Sequence, residues 1–346
     1  MIKNNTSIPL DKFIEKSLFD KSKGYYMVKN PIGYKGDFIT SPNISIVFSE
    51  MIAIWLISFW EKMNCPQKIN IVELGGGNGE MMYQIIRTIK KFKKFENSAN
   101  FLILDKSPFL KSIQKIKMKN MKIKWIENIK SISKHPTIFL ANEFFDAFPI
   151  KQFIKKNNLW FEKYIFYKDN NFKIYDKKII KKNIEKLLSD KITKNQKFLE
   201  FSQSGLKMLD AISKKIKKQN GGLLIIDYGY KEKKMFNTIQ SIKNHKKVNF
   251  LENLYNCDIT HLINFNLFIK KLRKNKLDFI KLTSQRDFLL NMGIIERAKI
   301  ISKNLPFSSK INIHLRIKRL IDNNQMGSLF KVLLATKKIN KFNLGF

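Results

Sequence analysis

Glu143 and Asp146 stand three residues apart in the stretch ANEFFDAFPI (141–150), among aromatic and aliphatic neighbours and directly after the apolar run Thr137–Leu140. A carboxylate set against an apolar strand costs free energy unless something pairs with it. Asn142 adds an amide at the strand end, and Phe144, Phe145 and Phe148 can wall off water. The spacing places both acids on one side if a helical turn follows. A plainer alternative is that Glu143 caps the next helix and Asp146 pairs with a surface lysine.

A second chemical stretch lies upstream. In IVELGGGNGE an apolar run leads into Glu73, and Gly75, Gly77 and Gly79 follow at alternate positions before a helix begins. Glycines there tolerate positive φ and let a ligand lie close across the strand ends. The spacing is neither the dinucleotide G-x-G-x-x-G nor a phosphate loop, since no G-K-[ST] follows. An acidic residue entering the turn repels a pyrophosphate and suits a cationic ligand bearing hydroxyls. S-adenosylmethionine, with its sulfonium, ammonium and ribose diol, is such a ligand. Asp105, at the end of the next apolar run, is placed to accept hydrogen bonds from both ribose hydroxyls.

These residues need strands to hold them. Short apolar runs at 69–74, 100–105, 122–126, 137–142 and 222–229 read as buried strands, most of them separated by helical segments such as 79–95 and 107–118. That rhythm predicts a parallel, doubly wound α/β sheet. Residues 150–190 are rich in aromatics with Asn-Asn pairs at turns, and read as an antiparallel meander inserted in the main fold. A helix is expected over about 194–218, helical structure over 284–301, and a last strand within 328–338. Residues 8–63 read as mostly helical, interrupted by a loop at 24–43 rich in Gly, Pro and aromatics. The apolar run at 51–60 is too short to span a bilayer and reads as a buried helix. The resulting division is an N-terminal helical and lid region at 1–68, then a cofactor-binding domain at 69–346.

The chain has 346 residues, 44% of them hydrophobic, with a formal charge of +38. Such a charge suits a nucleic-acid partner, yet only six of the 66 basic residues are Arg, and Lys, Asn and Ile abound throughout. An A/T-rich coding bias leaves that pattern, so the charge reads as solvated surface and background composition. Cys65 and Cys257 are far apart and form no disulfide framework or zinc spacing; no metal site is expected. The N-terminus lacks a signal-peptide pattern, so a reducing, bacterial cytoplasm is the expected compartment.

The chain resembles the class I methyltransferase family that includes the mitochondrial complex I assembly arginine methyltransferase and its bacterial relatives, sometimes called MidA. The resemblance rests on GYY (24–26), GDFITSP (36–42), ELGGGNG (73–79), NEFFDAFPI (142–150), IDYG (226–229), DIT (258–260) and MGSLFK (326–331), in that order along nearly the whole chain. It implies a Rossmann-like sheet with a helical N-terminal extension, S-adenosylmethionine as cofactor, and symmetric dimethylation of an arginine in a complex I (NADH dehydrogenase) core subunit. The sequence departs from the family at Gly76 and Asn78, where Pro and Arg are usual, and at Asn43, where an acid is usual. It reads DITHLINF where the family has DLTAHVDF, so the family's His falls on Leu262 and its second Asp on Asn264.

An arginine substrate gives the acids a purpose. Each carboxylate of a pair can hold one edge of a guanidinium by charge-assisted hydrogen bonds, leaving one nitrogen aimed at the methyl group. Phe144 and Phe145 would stack on the cation. Asp227 and Tyr228, ending the fifth strand, are further substrate-side candidates, although a strand-end Asp also serves as a cap. His245 matches a family His and is a candidate base or a structural residue. Thr40 and Ser41 sit in the loop able to close over the cofactor, Asn142 at the strand end is placed to contact the cofactor's methionine part or the substrate, and Glu127 is placed near the adenine. Two other functions stay open. One is an RNA methyltransferase, although the fourth strand lacks the Asn-Pro-Pro-Tyr or Asp-Pro-Pro-Tyr such an enzyme would carry; the other is a cofactor-binding assembly chaperone with little catalysis. Oligomeric state is not readable.

Overall fold

The computed structural model describes residues 5–33, 36–169 and 171–346. Residues 1–4, 34, 35 and 170 lie outside the described residues, and with them small parts of the expected N-terminal region, loop and meander.

The chain begins with β1 (Thr6–Pro9), α1 (Leu10–Phe19), α2 (Tyr25–Val28), α3 (Ser41–Ile44) and α4 (Ile46–Lys62). The run at 51–60 lies inside α4, whose start is capped by Ser45 Oγ accepting from Val47 N at 3.3 Å. Next come β2 (Ile69–Leu74), α5 (Glu80–Ile89), α6 (Lys93–Ser98), β3 (Ala99–Leu104), α7 (Pro108–Lys117), β4 (Ile123–Ile126) and β5 (Thr137–Asn142). The insertion holds β6 (Lys151–Lys156), β7 (Leu159–Lys168), β8 (Asn171–Ile179), α8 (Lys181–Leu188) and β9 (Phe198–Phe201). α9 (Gln203–Gln219) leads into β10 (Gly221–Tyr230), followed by β11 (Gln240–Lys243), β12 (Lys246–Lys247), β13 (Asp258–Thr260) and β14 (Ile263–Asn264). The last third contains α10 (Phe265–Lys274), β15 (Phe279–Ser284), α11 (Gln285–Asn291), α12 (Ile294–Ser302), α13 (Phe307–Ile321), α14 (Met326–Leu329) and β16 (Phe330–Thr336).

The main sheet has the order β4-β3-β2-β5-β10-β16-β15, with only β16 running against its neighbours. Strand reversal across β2 and β5 makes the switch point at which doubly wound folds bind ligands. Alternation within each strand feeds two cores. Ile69 and Ile71 of β2, with Ile138 and Leu140 of β5, pack with Trp55 of α4 and Met82 of α5. Val72, Leu74, Phe139 and Ala141 face the opposite side, with Leu209 of α9 and Phe268 of α10. This period-two division is what a sheet covered on both faces requires.

The inserted sheet is larger than the expected meander. β9 pairs with β6, and β1 pairs with β7 beside the stretch that β6 uses, so the N-terminal region begins inside the insertion's sheet. α1 packs against this sheet, burying Leu10, Phe13 and Ile14 with Ile150, Ile165 and Ile259. Lys151 Nζ ties it down by pairing with Asp11 at 2.9 Å and Glu162 at 2.6 Å.

The five expected strands coincide with β2, β3, β4, β5 and β10 to within one residue at each end. The helix expected over 79–95 is instead α5 and α6. The helix expected from 194 starts at Gln203, because Phe198–Phe201 satisfies the open edge of β6 and Ser202 caps the helix through Gly205 N at 3.0 Å. Residues 284–301 break into α11 and α12 at Gly293, which has φ +81°. β15 had no counterpart in the sequence reading.

Candidate active site

A cavity of about 380 Å³ opens at the carboxyl ends of β2, β3, β5 and β10. The glycine loop forms one wall. Gly75 has φ +70°, and a Cβ there would lie 2.7 Å from Cδ2 of Phe144; Gly77 has φ +52°, and its Cβ would lie 2.8 Å from Cδ1 of Ile32. Side chains at either position would close the passage between β2 and the loops above it. Glu73 is buried at the end of β2 and its Oε2 has no hydrogen-bond partner. Burial, with the charge of Asp105 adding to it, holds its carboxyl well above the usual range. Asp105 accepts from Ser107 N at 2.9 Å and Gln114 Nε2 at 2.8 Å. Its carboxyl is also raised, chiefly by burial. Asp105 lines the cavity wall beside the glycine loop.

Beyond β5 the backbone makes a bend and a turn, not the helical turn expected, so there is no helix for Glu143 to cap. Glu143 takes φ +49°, a strained conformation for this residue type, with its N–H donating to Ile226 O at 2.9 Å. Its Oε1 accepts from Ser41 N at 2.9 Å and Asn142 Nδ2 at 3.1 Å. Both bonds fall on one oxygen, Oε1. Burial, reinforced by the nearby Asp146 charge, pushes this carboxyl up to about 7. Asp146 receives the Tyr228 hydroxyl on Oδ2, while its buried Oδ1 has no partner. Burial pushes Asp146 up to about 6.

The turn keeps this shape because of Asp227. That side chain is fully buried, and its Oδ2 accepts from the backbone N–H groups of Phe144, Phe145 and Asp146 at 3.2, 3.0 and 3.4 Å. Asp227 therefore anchors the loop and does not line the cavity, which corrects its assignment to substrate contact. Tyr228 does line it.

The other expected residues divide similarly. Thr40, Asn142 and Phe144 line the cavity, whereas Phe145 turns into the core against Phe268. Phe148 reaches the cavity in its place. Ser41 is fully buried, and its link to the site is the N–H given to Glu143. Glu127 is exposed in a separate depression beside Trp125, removing it from this cavity. His245 sits in the exposed turn between β11 and β12, with φ +60°, away from the acids. Its backbone N–H donates to Asp37 O at 3.2 Å, so its position is that of a loop anchor and not a base.

Asp258, Tyr26 and His261 were missed as site residues. Asp258 lines the cavity and accepts from Tyr26 Oη at 2.7 Å; burial and the Asp146 charge push its carboxyl up to about 7. His261 is buried beneath the turn, its backbone N–H donating to Asp146 O at 3.1 Å, with its ring lowered to about 4 by burial. The signal was available, because Tyr26 and Asp258 lie in two of the matched stretches. Others also bind one another. Tyr25 Oη donates to Asp37 at 2.6 Å, and Asn78 Nδ2 donates to Asn43 Oδ1 at 2.7 Å, so two departures from the family meet as an amide pair.

Among the described residues, seven acidic side chains and two basic ones line the cavity of a protein that carries a formal charge of +38. Residues 51–283 match the model of a family described as "Putative S-adenosyl-L-methionine-dependent methyltransferase". The mitochondrial protein arginine methyltransferase NDUFAF7 of Xenopus tropicalis is 26% identical, with 95% of this chain and 82% of that protein covered. Human NDUFAF7 is 26% identical over 87% of this chain and 73% of its own length. In fold, the chain is similar to a COG1565 superfamily protein from Burkholderia thailandensis solved with S-adenosyl-homocysteine. That similarity has a TM-score of 0.82 at 18% identity and covers 98% of this chain and 90% of that one.

Proposed function

The chain belongs to this family of S-adenosyl-L-methionine-dependent methyltransferases, and we propose that it methylates an arginine side chain of a protein, held between Glu143 and Asp146. The observation that carries the proposal is that Asp146, held through Oδ2 by the Tyr228 hydroxyl, leaves its buried Oδ1 without a protein partner beside Glu143, whose bonds from Ser41 N and Asn142 Nδ2 both fall on Oε1.

The chain's residues suit the methyl donor. Glu73 Oε2 and Asn142 Oδ1 are buried acceptors without a protein partner, Asp105 lines the same cavity, and the glycine loop leaves room. When bound, the donor supplies an electrophilic methyl on a sulfonium. A guanidinium has a pKa above about 12 and remains charged. Glu143 Oε2 and Asp146 Oδ1 accept its N–H groups, orienting one nitrogen while Phe144 and Phe148 exclude water. As that nitrogen gains the methyl it sheds a proton. Glu143, whose carboxyl is raised to about 7, is the group best matched to receive it at neutral pH. Tyr228, bonded to Asp146, keeps the second acid oriented.

The relatives' printed name, protein arginine methyltransferase, favours a protein arginine as acceptor, and the resemblance to the complex I assembly family favours a core subunit of NADH dehydrogenase; a bacterial cytoplasm is the proposed setting. Among the described residues no helix is long and apolar enough to cross a membrane. An RNA acceptor is favoured by the net charge alone, and the acids around the cavity repel phosphates. Incubating the purified protein with labelled S-adenosylmethionine and the purified hydrophilic subunits of NADH dehydrogenase, followed by mass spectrometry, tests the proposal. Label on arginine that is lost in Glu143→Gln is expected. Label recovered only in RNA overturns it, and an assembly chaperone would keep its assembly activity in Glu143→Gln.

A further inference from the structure

On α13, Phe307, Ile311 and Leu315 recur every fourth residue and are 78, 42 and 58% exposed. Residues four apart share one helix face, so these three form an apolar stripe toward solvent while Ile317 and Leu320 turn into the core. The next position in the same register is Arg319, which lines the cavity. The helix packs against α3 and α14, and Leu329 of α14, 47% exposed, also borders the cavity. The stripe is therefore continuous with the mouth of the active site. Exposed apolar surface of this kind marks an interaction site.

Charge identifies the occupant. α13 carries Lys310, Arg316, Lys318 and Arg319 and no acidic residue. Pairing with a second copy through this helix would set like charges together, whereas an acidic partner is complementary. We propose that α13 docks the segment of the protein substrate flanking the target arginine, and that this segment combines apolar with acidic residues; the proposal rests on the arginine reading above. From Phe307 to Arg319 the helix extends about 18 Å at about 1.5 Å per residue, a span matched by about five or six residues of extended chain. The recognised residues thus lie within about six or seven positions of the arginine.

Two dye-labelled synthetic peptides test this, each with one central arginine, one flanked by Glu and Leu and the other by Ser and Gly. Binding is read by fluorescence anisotropy, and methyl transfer by labelled S-adenosylmethionine, for the wild-type protein and for Phe307→Ser/Leu315→Ser. The Glu/Leu peptide is expected to bind and show a KM at least about tenfold lower than the Ser/Gly peptide. The double variant is expected to abolish that advantage with kcat unchanged and an unaltered melting temperature. Equal affinity of the two peptides, or an unaffected double variant, overturns the proposal. So does a halving of molecular mass in the double variant, which would assign the stripe to a second copy. Tight, variant-sensitive binding of the Glu/Leu peptide without methylation of either peptide supports the docking face and overturns the arginine reading.

Discussion

The carboxylates of the inserted sheet and those of the cavity are both buried, yet they are treated differently. Glu162 pairs with Lys151, and Glu200 accepts from Gln152 Nε2 at 2.6 Å and from Thr238. In the cavity, Glu73 Oε2 and Asp146 Oδ1 have no partner, and the bonds to Glu143 crowd onto one oxygen. A buried polar group without a partner destabilises the fold. The inserted sheet therefore spends its acids on holding itself to α1 and the β10–β13 connection, while the cavity leaves Glu73 Oε2 and Asp146 Oδ1 without a protein partner. Asp227 makes the contrast sharp, because it lies beside Asp146 and is used by the backbone alone.

The most severe way to break the comparison is Glu143→Gln. It preserves shape and removes the charge and the proton acceptor, so turnover should fall roughly 10²- to 10⁴-fold. Calorimetry should find S-adenosylhomocysteine bound within about threefold of wild type. A loss of cofactor binding as large as the loss of turnover would assign Glu143 to the cofactor instead.

Lys151→Met attacks the other set. It leaves the part-buried Asp11 and the buried Glu162 without a cation, and urea unfolding should show a loss of about 3 kcal/mol, the low end for a buried pair. Affinity for S-adenosylhomocysteine in the folded protein should be unchanged. A variant as stable as wild type would mean that the paired acids of the insertion carry little weight.

The pH dependence sharpens the distinction. Glu143 and Asp146, raised to about 7 and about 6, must be ionised to hold a guanidinium. The ratio kcat/KM should therefore decline as pH falls below 7, approaching about tenfold per unit once a required carboxylate protonates. Stability has the opposite sign. The folded state binds these protons more tightly than the unfolded state, so their contribution falls as pH rises from about 4 to about 7. Melting temperatures of wild type and Glu143→Gln should consequently diverge over that range, the variant becoming the more stable. Parallel curves would remove the premise that burial strains Glu143.

The smallest expected effect is that of Asn78→Ala. It removes the amide pair between the glycine loop and the segment that supplies Ser41 N, and costs about 1 kcal/mol in stability. If Asn43 and Asn78 preserve the geometry that an acid and an arginine provide in the family, KM for S-adenosylmethionine should rise two- to threefold. An unchanged KM would show that the amide pair does not shape the cofactor site.

Legibility followed the range of the interactions involved. The five parallel strands were readable because burial on both faces leaves continuous apolar runs, and the glycine loop because positive φ restricts residue choice locally. β9 and β1 were not, since each is a short segment whose strand character comes from a distant edge of β6 or β7. His245 and Glu127 matched expected positions along the chain but lie outside the cavity, whereas Asp258 and Tyr26 come together across 232 residues.

By itself, the sequence determined the doubly wound sheet, the glycine loop and the presence of two acids after the fourth strand, because those depend on local pattern and covalent spacing. Only the tertiary structure decided which acids are free. Whether a carboxylate oxygen is bonded depends on donors brought from other elements, such as Ser41 N, Tyr228 Oη and the backbone amides above Asp227. That difference separates an anchor from a ligand site, and it is set by three-dimensional proximity that residue types along the chain do not encode one by one.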